Sequence, residues 1–287
     1  MAPEAYAVIG FPLGHTVSPA MQQAAFDHLG IDASYKALET RPEDLEQRVK
    51  DVRRGSLAGL NVTIPHKTRA VEYLDATAPT ATRTGAVNTI FWRDGALTGE
   101  NTDVPAIAGV LDRAGVSRSA RALLIGGGGA ARAALLALLE RGHEVLMANR
   151  TPERARGAAD RIAPGGSVPV IALDDPALAR RARECGLIVN ATSLGMEGGP
   201  APEASPLPEG ALGREQFVFD MVYRPERTPL IERAQAAGCI WVGGLDMLVA
   251  QGALSFRLWT GVEAPLEVMA AAARRALQGA GSHHGSG

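Results

Sequence analysis

The residues of this chain that could do chemistry fall into two groups. The first is a run of four glycines, Gly126 to Gly129, set between an apolar stretch, Ala122-Leu123-Leu124-Ile125, and an Ala- and Leu-rich segment over 130–141 that Gly142 closes. The apolar stretch reads as a buried parallel strand and the segment after it as a helix. A second strand is expected over 144–148. Strand, glycine turn, helix and strand within about thirty residues is the unit that binds dinucleotides. Glycines allow a tight turn and a close approach of backbone to pyrophosphate, and the N–H groups at the helix start favour an anion. The spacing Gly126-x-Gly128-x-x-Ala131 fits the G-x-G-x-x-A form. A glycine-rich loop ahead of a core helix is the plainer reading, which the strand–turn–helix–strand context disfavours.

The end of the second strand selects the cofactor. Domains that bind NAD place an Asp or Glu there to accept from the ribose 2′-hydroxyl. Here the residues are Asn149-Arg150-Thr151, with Arg154 one helical turn on. A carboxylate would repel a 2′-phosphate, whereas a guanidinium grips it in two places, so NADP is expected over NAD. As solvated surface charges the two arginines would be badly placed, because cations are disfavoured at a helix N-terminus.

The second group lies at strand ends in the first third of the chain, where ligands of open α/β sheets bind. Lys67 follows Asn61-Val62-Thr63-Ile64-Pro65, Asn88 and Thr89 lie in the next strand, and Asp103 opens a helix. Reduction of a ketone leaves an alkoxide that must be protonated, and an ammonium near a carboxylate can donate that proton and recover it. Taken singly, Lys67 reads as a surface residue and Asp103 as a helix N-cap.

The elements that must position these groups alternate. Strands are expected over 5–10, 33–38, 57–62, 85–92 and 96–99, with an Asp94-Gly95 hairpin turn between the last two. Helices are expected from a Ser18 N-cap with Pro19 at N1 to residue 29, over 42–53, beyond Lys67, and over 104–114. Past the glycine unit, strands over 168–173, 187–191, 217–220 and 239–242 alternate with helices over 176–185 and 229–237. Residues 198–213 form a loop, and helices over 246–260 and 265–277 close the chain. The pattern is α/β, with parallel, doubly wound sheets. Residues 279–287, GAGSHHGSG, read as a disordered tail.

The chain has 287 residues, with 46% hydrophobic and 21% charged, a globular composition sufficient for two domains. A net charge of −2 advertises no nucleic-acid partner. No apolar run reaches membrane-spanning length, and the first residues lack a basic and apolar leader. A cytoplasmic location is the expectation. Cys185 and Cys239 form no C-x-x-C pair, no metal-ligand cluster is visible, and no metal is expected.

In order, the segments GFPLGHTVSPAMQQAAF, NVTIPHK, GAVNTI, GENTD, IGGGGAARA, NRT, NATSLGM, DMVYRP and GLDMLVAQGALSF cover almost the whole sequence. Together they resemble the shikimate dehydrogenase family. The resemblance implies an open α/β substrate domain, residues 1–103 completed by the helices of 244–278, and a Rossmann-type NADP-binding domain, 104–243. It implies NADP(H)-dependent interconversion of 3-dehydroshikimate and shikimate, with Lys67 and Asp103 as the catalytic pair. Thr16 and Ser18 match positions that hold the substrate carboxylate. Asn61, Thr63, Asn88 and Gln251 match positions that bind ring hydroxyls, and Tyr223 also matches a substrate-side position. Gly126, Gly127, Gly128, Gly129 and Ala130 match the pyrophosphate loop, and Asn149, Arg150, Thr151 and Arg154 the 2′-phosphate site. Thr192, Met221, Gly244 and Met247 match positions around the nicotinamide. Small-molecule partners alone are implied, in a monomer or a homodimer.

The chain departs from the family pattern twice. Thr16 stands where the family has serine, keeping the hydroxyl but adding a methyl that stiffens χ1. Asp246 stands where many members have glycine, as an N-cap or as a repulsive charge. These departures leave quinate or an amino analogue of shikimate as alternative substrates. A non-catalytic NADP-sensing module is a third reading, against which the retained Lys67, Asp103 and Gln251 argue.

Overall fold

The structure is a computed structural model and describes residues 4–14 and 16–281. It divides into two compact units, one built from the chain up to Thr102 together with the chain from Val249 onward, the other from Asp103–Leu248.

The first unit contains β1 (Glu4–Gly10), α1 (Ser18–Leu29), β2 (Ala33–Glu39), α2 (Leu45–Arg53), β3 (Gly59–Val62), β4 (Ala76–Thr77), α3 (Pro79–Thr84), β5 (Thr89–Arg93) and β6 (Ala96–Glu100). Its sheet runs β2-β1-β3-β5-β6-β4. All four residues of β3 are buried, as befits a strand covered on both faces. The sheet is mixed rather than wholly parallel. Asp94 and Gly95 both take positive φ, at 51° and 78°, and this two-residue turn sends β6 back antiparallel to β5. β5 is also antiparallel to β3, pairing Asn61 with Thr89. Leu45, Val49 and Val52 of α2 close one face over Ile9, Leu60, Val62 and Ile90.

Several local expectations shift. Ser18 is not the N-cap of α1 but its first helical residue. Val17 occupies the cap position with helical backbone angles, and its side chain makes no capping bond. Residues 42–44 form a 3₁₀ turn ahead of α2, and the helix expected after Lys67 is a 3₁₀ turn, Arg69–Tyr73. β5 begins at Thr89, so Asn88 precedes the strand.

The second unit contains α4 (Asp103–Arg113), β7 (Ala122–Ile125), α5 (Gly129–Glu140), β8 (Val145–Asn149), α6 (Pro152–Ile162), β9 (Val170–Ala172), α7 (Leu178–Arg183), β10 (Leu187–Asn190), β11 (Phe217–Asp220), α8 (Pro229–Ala236) and β12 (Ile240–Val242). Its sheet runs β12-β11-β10-β7-β8-β9, with every adjacent pair parallel. Read from β9, the first three strands run backward in sequence and the last three forward. The order therefore reverses between β7 and β10, where doubly wound sheets bind dinucleotides. Gly142, at φ 84°, follows the last turn of α5 and stops it.

α9 (Gly244–Thr260) begins in the second unit and continues into the first, and α10 (Leu266–Gly281) belongs to the first. α10 runs three residues into the tail expected to be disordered; residues 282–287 lie outside the described chain.

Candidate active site

In the first unit, the loops at the C-terminal ends of β1 and β3 and the segment before β5 carry most of the candidate substrate residues. Gly10 lets two of these loops approach. A Cβ there would stand 2.5 Å from the Thr63 methyl and 3.0 Å from the Ile64 carbonyl. Thr63 N donates to Ile9 O and Phe11 N to Ile64 O, binding the turn that carries Lys67 to the loop that carries Thr16. His66, 1% exposed, anchors the same turn through Nε2 to Thr40 O at 2.7 Å. Lys67 is half-buried, and its carbonyl accepts from Val87 N. Thr16 Oγ1 donates to Ser18 Oγ at 3.2 Å, and the Ser18 amide donates back to Thr16 Oγ1 at 3.3 Å. The hydroxyl expected to cap α1 is thus directed at its neighbour in the candidate carboxylate site.

The ring-hydroxyl candidates sit in a buried polar network. Asn61 Nδ2 donates to Asn88 O (3.1 Å), Thr89 Oγ1 (3.3 Å) and Ser255 Oγ (2.9 Å), while its Oδ1 accepts from the Tyr35 hydroxyl at 2.7 Å. Full burial holds the Tyr35 phenol well above its ordinary pKa, so it remains a donor. Asn88 Oδ1 accepts from Thr102 N at 2.8 Å, and its Nδ2 donates to Thr102 Oγ1 and, at 3.3 Å, to Gln251 Oε1. Tyr35 and Ser255 were not legible as site residues. Ser255 follows Gln251 by four residues, one helical turn, which is the signal that could have found it.

α9 delivers Gln251 and Ser255 through close packing. A Cβ at Gly252 would lie 2.4 Å from Met21 Cε, and Gln22 Nε2 donates to Gly252 O at 2.9 Å, so glycine lets α9 meet α1. A Cβ at Gly59 would lie 2.4 Å from Trp259 Nε1, whose N–H donates to Ile90 O at 3.1 Å. Tyr6 stacks on Phe26 at 5.3 Å, and Trp259 and Phe256 of α9 pack tilted against these two rings at 4.9 Å, completing the clamp. Asp246 lies exposed in the first turn of α9, past its start at Gly244, so it is not the N-cap; its charge there suits the helix dipole.

In the second unit the cofactor candidates follow the strand order along the C-terminal edge of the sheet. Gly126, at φ 135°, follows β7, and a Cβ there would meet Ala191 O at 3.0 Å and Ala131 Cβ at 3.2 Å. Gly127 packs against the start of α6, where a Cβ would lie 2.9 Å from Ala155 N. Gly128, by contrast, is exposed, and a methyl added there would meet no heavy atom within 4 Å, so packing does not require glycine. The bare backbone there leaves room for a ligand to come close. α5 starts at Gly129 and Ala130 with no side-chain cap and no acid in its first turn, which keeps its N–H groups suited to a pyrophosphate.

At the end of β8, Asn149 Nδ2 donates to Thr151 O and shapes the turn into α6. Arg150 and Arg154 are exposed, and neither forms an ion pair among the described residues; the acid of that first turn, Glu153, pairs with Arg156 instead. Two unneutralised cations at a helix N-terminus suit a phosphate. Past β10, Thr192 Oγ1 donates to Asn190 Oδ1 at 2.7 Å. Past β11, Met221 and Tyr223 are half-buried, and Gly244 meets this segment so closely that a Cβ would lie 2.2 Å from Met221 O. Met247 is buried in α9. Asp103, 3% exposed, opens α4 directly after Thr102 of the buried network.

The missed residues of this unit are Asn190 and Asp220, both fully buried, and the Arg224–Glu197 pair. That pair joins the loops after β10 and β11 through two bonds of 2.9 Å. No group of three or more His, Cys, Asp and Glu among the described residues could hold a metal ion, and no described helix is long and apolar enough to cross a membrane.

A glycine turn and a bare helix start at the switch point of a parallel sheet, with a buried polar network in a companion unit, define a dinucleotide-dependent α/β oxidoreductase class. Residues 8–90 match the shikimate dehydrogenase substrate-binding domain and 244–274 the shikimate 5′-dehydrogenase C-terminal domain. A shikimate dehydrogenase (NADP(+)) of Thermus thermophilus is 44% identical over 95% of this chain and 98% of its own, and one of Moorella thermoacetica 42% identical over 94% and 92%. A shikimate 5-dehydrogenase of Thermus thermophilus, solved with NADP(H) and shikimate, superposes with a TM-score of 0.86 at 43% identity, covering 96% of this chain and all of that one. A quinate dehydrogenase of Corynebacterium glutamicum in complex with NAD matches at TM-score 0.85 but 28% identity, over 94% and 98% of the two chains. The chain belongs to the shikimate dehydrogenase family.

Proposed function

We propose that the protein catalyses the NADPH-dependent, reversible reduction of 3-dehydroshikimate to shikimate. The observation that carries this reading is the near-full-length likeness to relatives named for that activity, which spans both the polar network and the glycine turn. The more distant likeness to a quinate dehydrogenase makes quinate the weaker candidate.

NADPH, when bound, supplies the hydride. Gly126 to Ala130 hold its pyrophosphate, Asn149, Arg150, Thr151 and Arg154 its 2′-phosphate, and Thr192, Met221, Gly244 and Met247 its nicotinamide. Lys67 Nζ delivers a proton to the ketone oxygen and takes it back in the reverse direction. The Asp103 carboxylate supports the ammonium and accepts from a ring hydroxyl. Thr16 and Ser18 donate to the substrate carboxylate, Asn61, Thr63, Asn88 and Gln251 meet the hydroxyls, and Tyr223 lies on the substrate side. A neutral set of this kind suits a triol, whose hydroxyls both donate and accept. The enzyme acts in the cytoplasm, as a monomer or a homodimer, in aromatic amino-acid biosynthesis.

Steady-state rates with shikimate and quinate, each with NADP and NAD, test the reading. Shikimate with NADP should give the highest kcat/KM; a higher value for quinate with NAD would refute it. Lys67→Ala should lower kcat at least about a hundredfold, the lower end of general acid catalysis, while NADP affinity stays near wild type.

A further inference from the structure

Asp220 ends β11, the strand beside β10, and is 0% exposed. Its Oδ1 accepts from Asn190 Nδ2 at 2.9 Å and from Val222 N at 3.1 Å, and its Oδ2 accepts from Thr228 Oγ1 at 2.6 Å. Thr228 in turn caps α8 by accepting from Ile231 N. One carboxyl therefore fastens the end of β10, the segment leaving β11 and the start of α8. The bond from Asn190 also fixes that amide's orientation, because its nitrogen must face the carboxyl. Asn190 Oδ1 is thereby turned to Thr192, accepting from its amide at 3.1 Å and its hydroxyl at 2.7 Å.

This sets the polarity of Thr192. Asn190 Oδ1 can only accept, so the Thr192 hydroxyl proton is committed to it. Leu194 N donates to Thr192 Oγ1 at 3.2 Å, and one lone pair remains for an incoming donor. We propose that Asp220 is a positioning residue for the nicotinamide end of the cofactor site, acting through Asn190 to present Thr192 as a hydrogen-bond acceptor for the carboxamide N–H of the nicotinamide. This rests on the assignment of Thr192 to the nicotinamide side in the function proposed above. Asp220 lies behind the segment that meets the cofactor and reaches no reacting atom.

The test separates the two ends of the cofactor. Asp220→Ala and Asn190→Ala are compared with wild type in kcat, KM for NADPH and 3-dehydroshikimate, NADP affinity by fluorescence, and affinity for adenosine 2′,5′-bisphosphate, which carries the adenosine end alone. Asn190→Ala leaves the Thr228 and Val222 bonds to Asp220 in place and removes the amide that links Asp220 to Thr192, so it serves even where Asp220→Ala fails to fold. Both variants should lose about tenfold in NADP affinity or in kcat/KM for NADPH, the scale of one misdirected hydrogen bond, with adenosine 2′,5′-bisphosphate affinity unchanged. Asp220→Asn, which can keep an oxygen toward Asn190, should restore most of the loss. Unchanged NADP affinity and kinetics in Asn190→Ala, or an equal loss of bisphosphate affinity, would overturn the proposal. A wild-type protein without shikimate-dependent NADP reduction would instead overturn the function on which it rests.

Discussion

The buried carboxyl of Asp220 should make stability depend on pH in the sense opposite to an ordinary surface carboxylate. Burial pushes its pKa from the usual 3.8 up to about 6, and the hydrogen bonds from Thr228, Val222 and Asn190 only partly oppose that desolvation. The native state therefore holds this proton more tightly than the unfolded chain. Its contribution is fully present below about pH 4 and is lost as pH rises through about 6. The rise from 3.8 to about 6, at 1.36 kcal/mol for each tenfold in proton affinity, makes the loss about 3 kcal/mol. Asp220→Asn fills nearly the same space and does not titrate. Urea unfolding of wild type and variant across about pH 3 to 7.5, in a constant-ionic-strength buffer, cancels every other titrating group in the difference. Relative to wild type, the variant should gain about 3 kcal/mol between those limits. A difference that stays flat, or that falls as pH rises, would refute the claim that burial dominates the site.

Two further outcomes follow from the geometry. Replacing Arg150 and Arg154 together by alanine should raise KM for NADP by about tenfold or more and leave NAD kinetics unchanged, with the loss shrinking as salt screens the phosphate contact. Steady-state assays at two ionic strengths check it. Gly59→Ala places a methyl 2.4 Å from Trp259 Nε1 and 3.0 Å from Ile90 O, beside an existing hydrogen bond. Overpacking of that kind costs about 1–3 kcal/mol, and because α9 carries Gln251 and Ser255, KM for shikimate should rise as well. A thermal midpoint equal to wild type would contradict the packing argument.

The nucleotide half was legible because its chemistry is written in short-range residues. A buried strand, a glycine turn and a helix stop leave a contiguous record, and only glycine meets the backbone contacts at Gly126 and Gly127. The Asp94-Gly95 turn was equally plain, yet its consequence, a mixed rather than parallel first sheet, depends on which strands become neighbours. Ser18 misled because Ser-Pro is a strong helix-start signal; the backbone at Val17 already takes helical angles, so no extended residue is left for a side chain to cap. The partners that orient the site residues were the least legible. Tyr35 and Asn61 are 26 residues apart, Asn61 and Ser255 are 194 apart, and Asn190 and Asp220 are 30 apart. Strand order and the packing of α9 bring them together, and apart from the one-turn spacing of Ser255 from Gln251 nothing local records it.

Those partners explain how residues of ambiguous chemistry acquire a fixed sense. An asparagine or a hydroxyl can donate or accept, so a list of such residues does not say what it recognises. In both units, groups that can act in only one way remove the ambiguity. The Asn88 carbonyl can only accept, which turns Asn61 Nδ2 toward it and Oδ1 toward Tyr35. The Thr102 amide can only donate, which turns Asn88 Oδ1 toward it and Nδ2 toward Gln251 Oε1, directing the Gln251 nitrogen elsewhere. The Asp220 carboxylate can only accept, and through Asn190 it settles Thr192. A flipped amide at Asn61, Asn88 or Asn190 would set like against like in a buried place, at about 1–3 kcal/mol for each polar group left unmet. That cost exceeds thermal energy, so each amide holds one orientation. A polyhydroxylated ligand offers little charge beyond its carboxylate, and the sense of each hydrogen bond, fixed in advance by backbone and carboxylate, is what such a site has available to tell one hydroxyl from another.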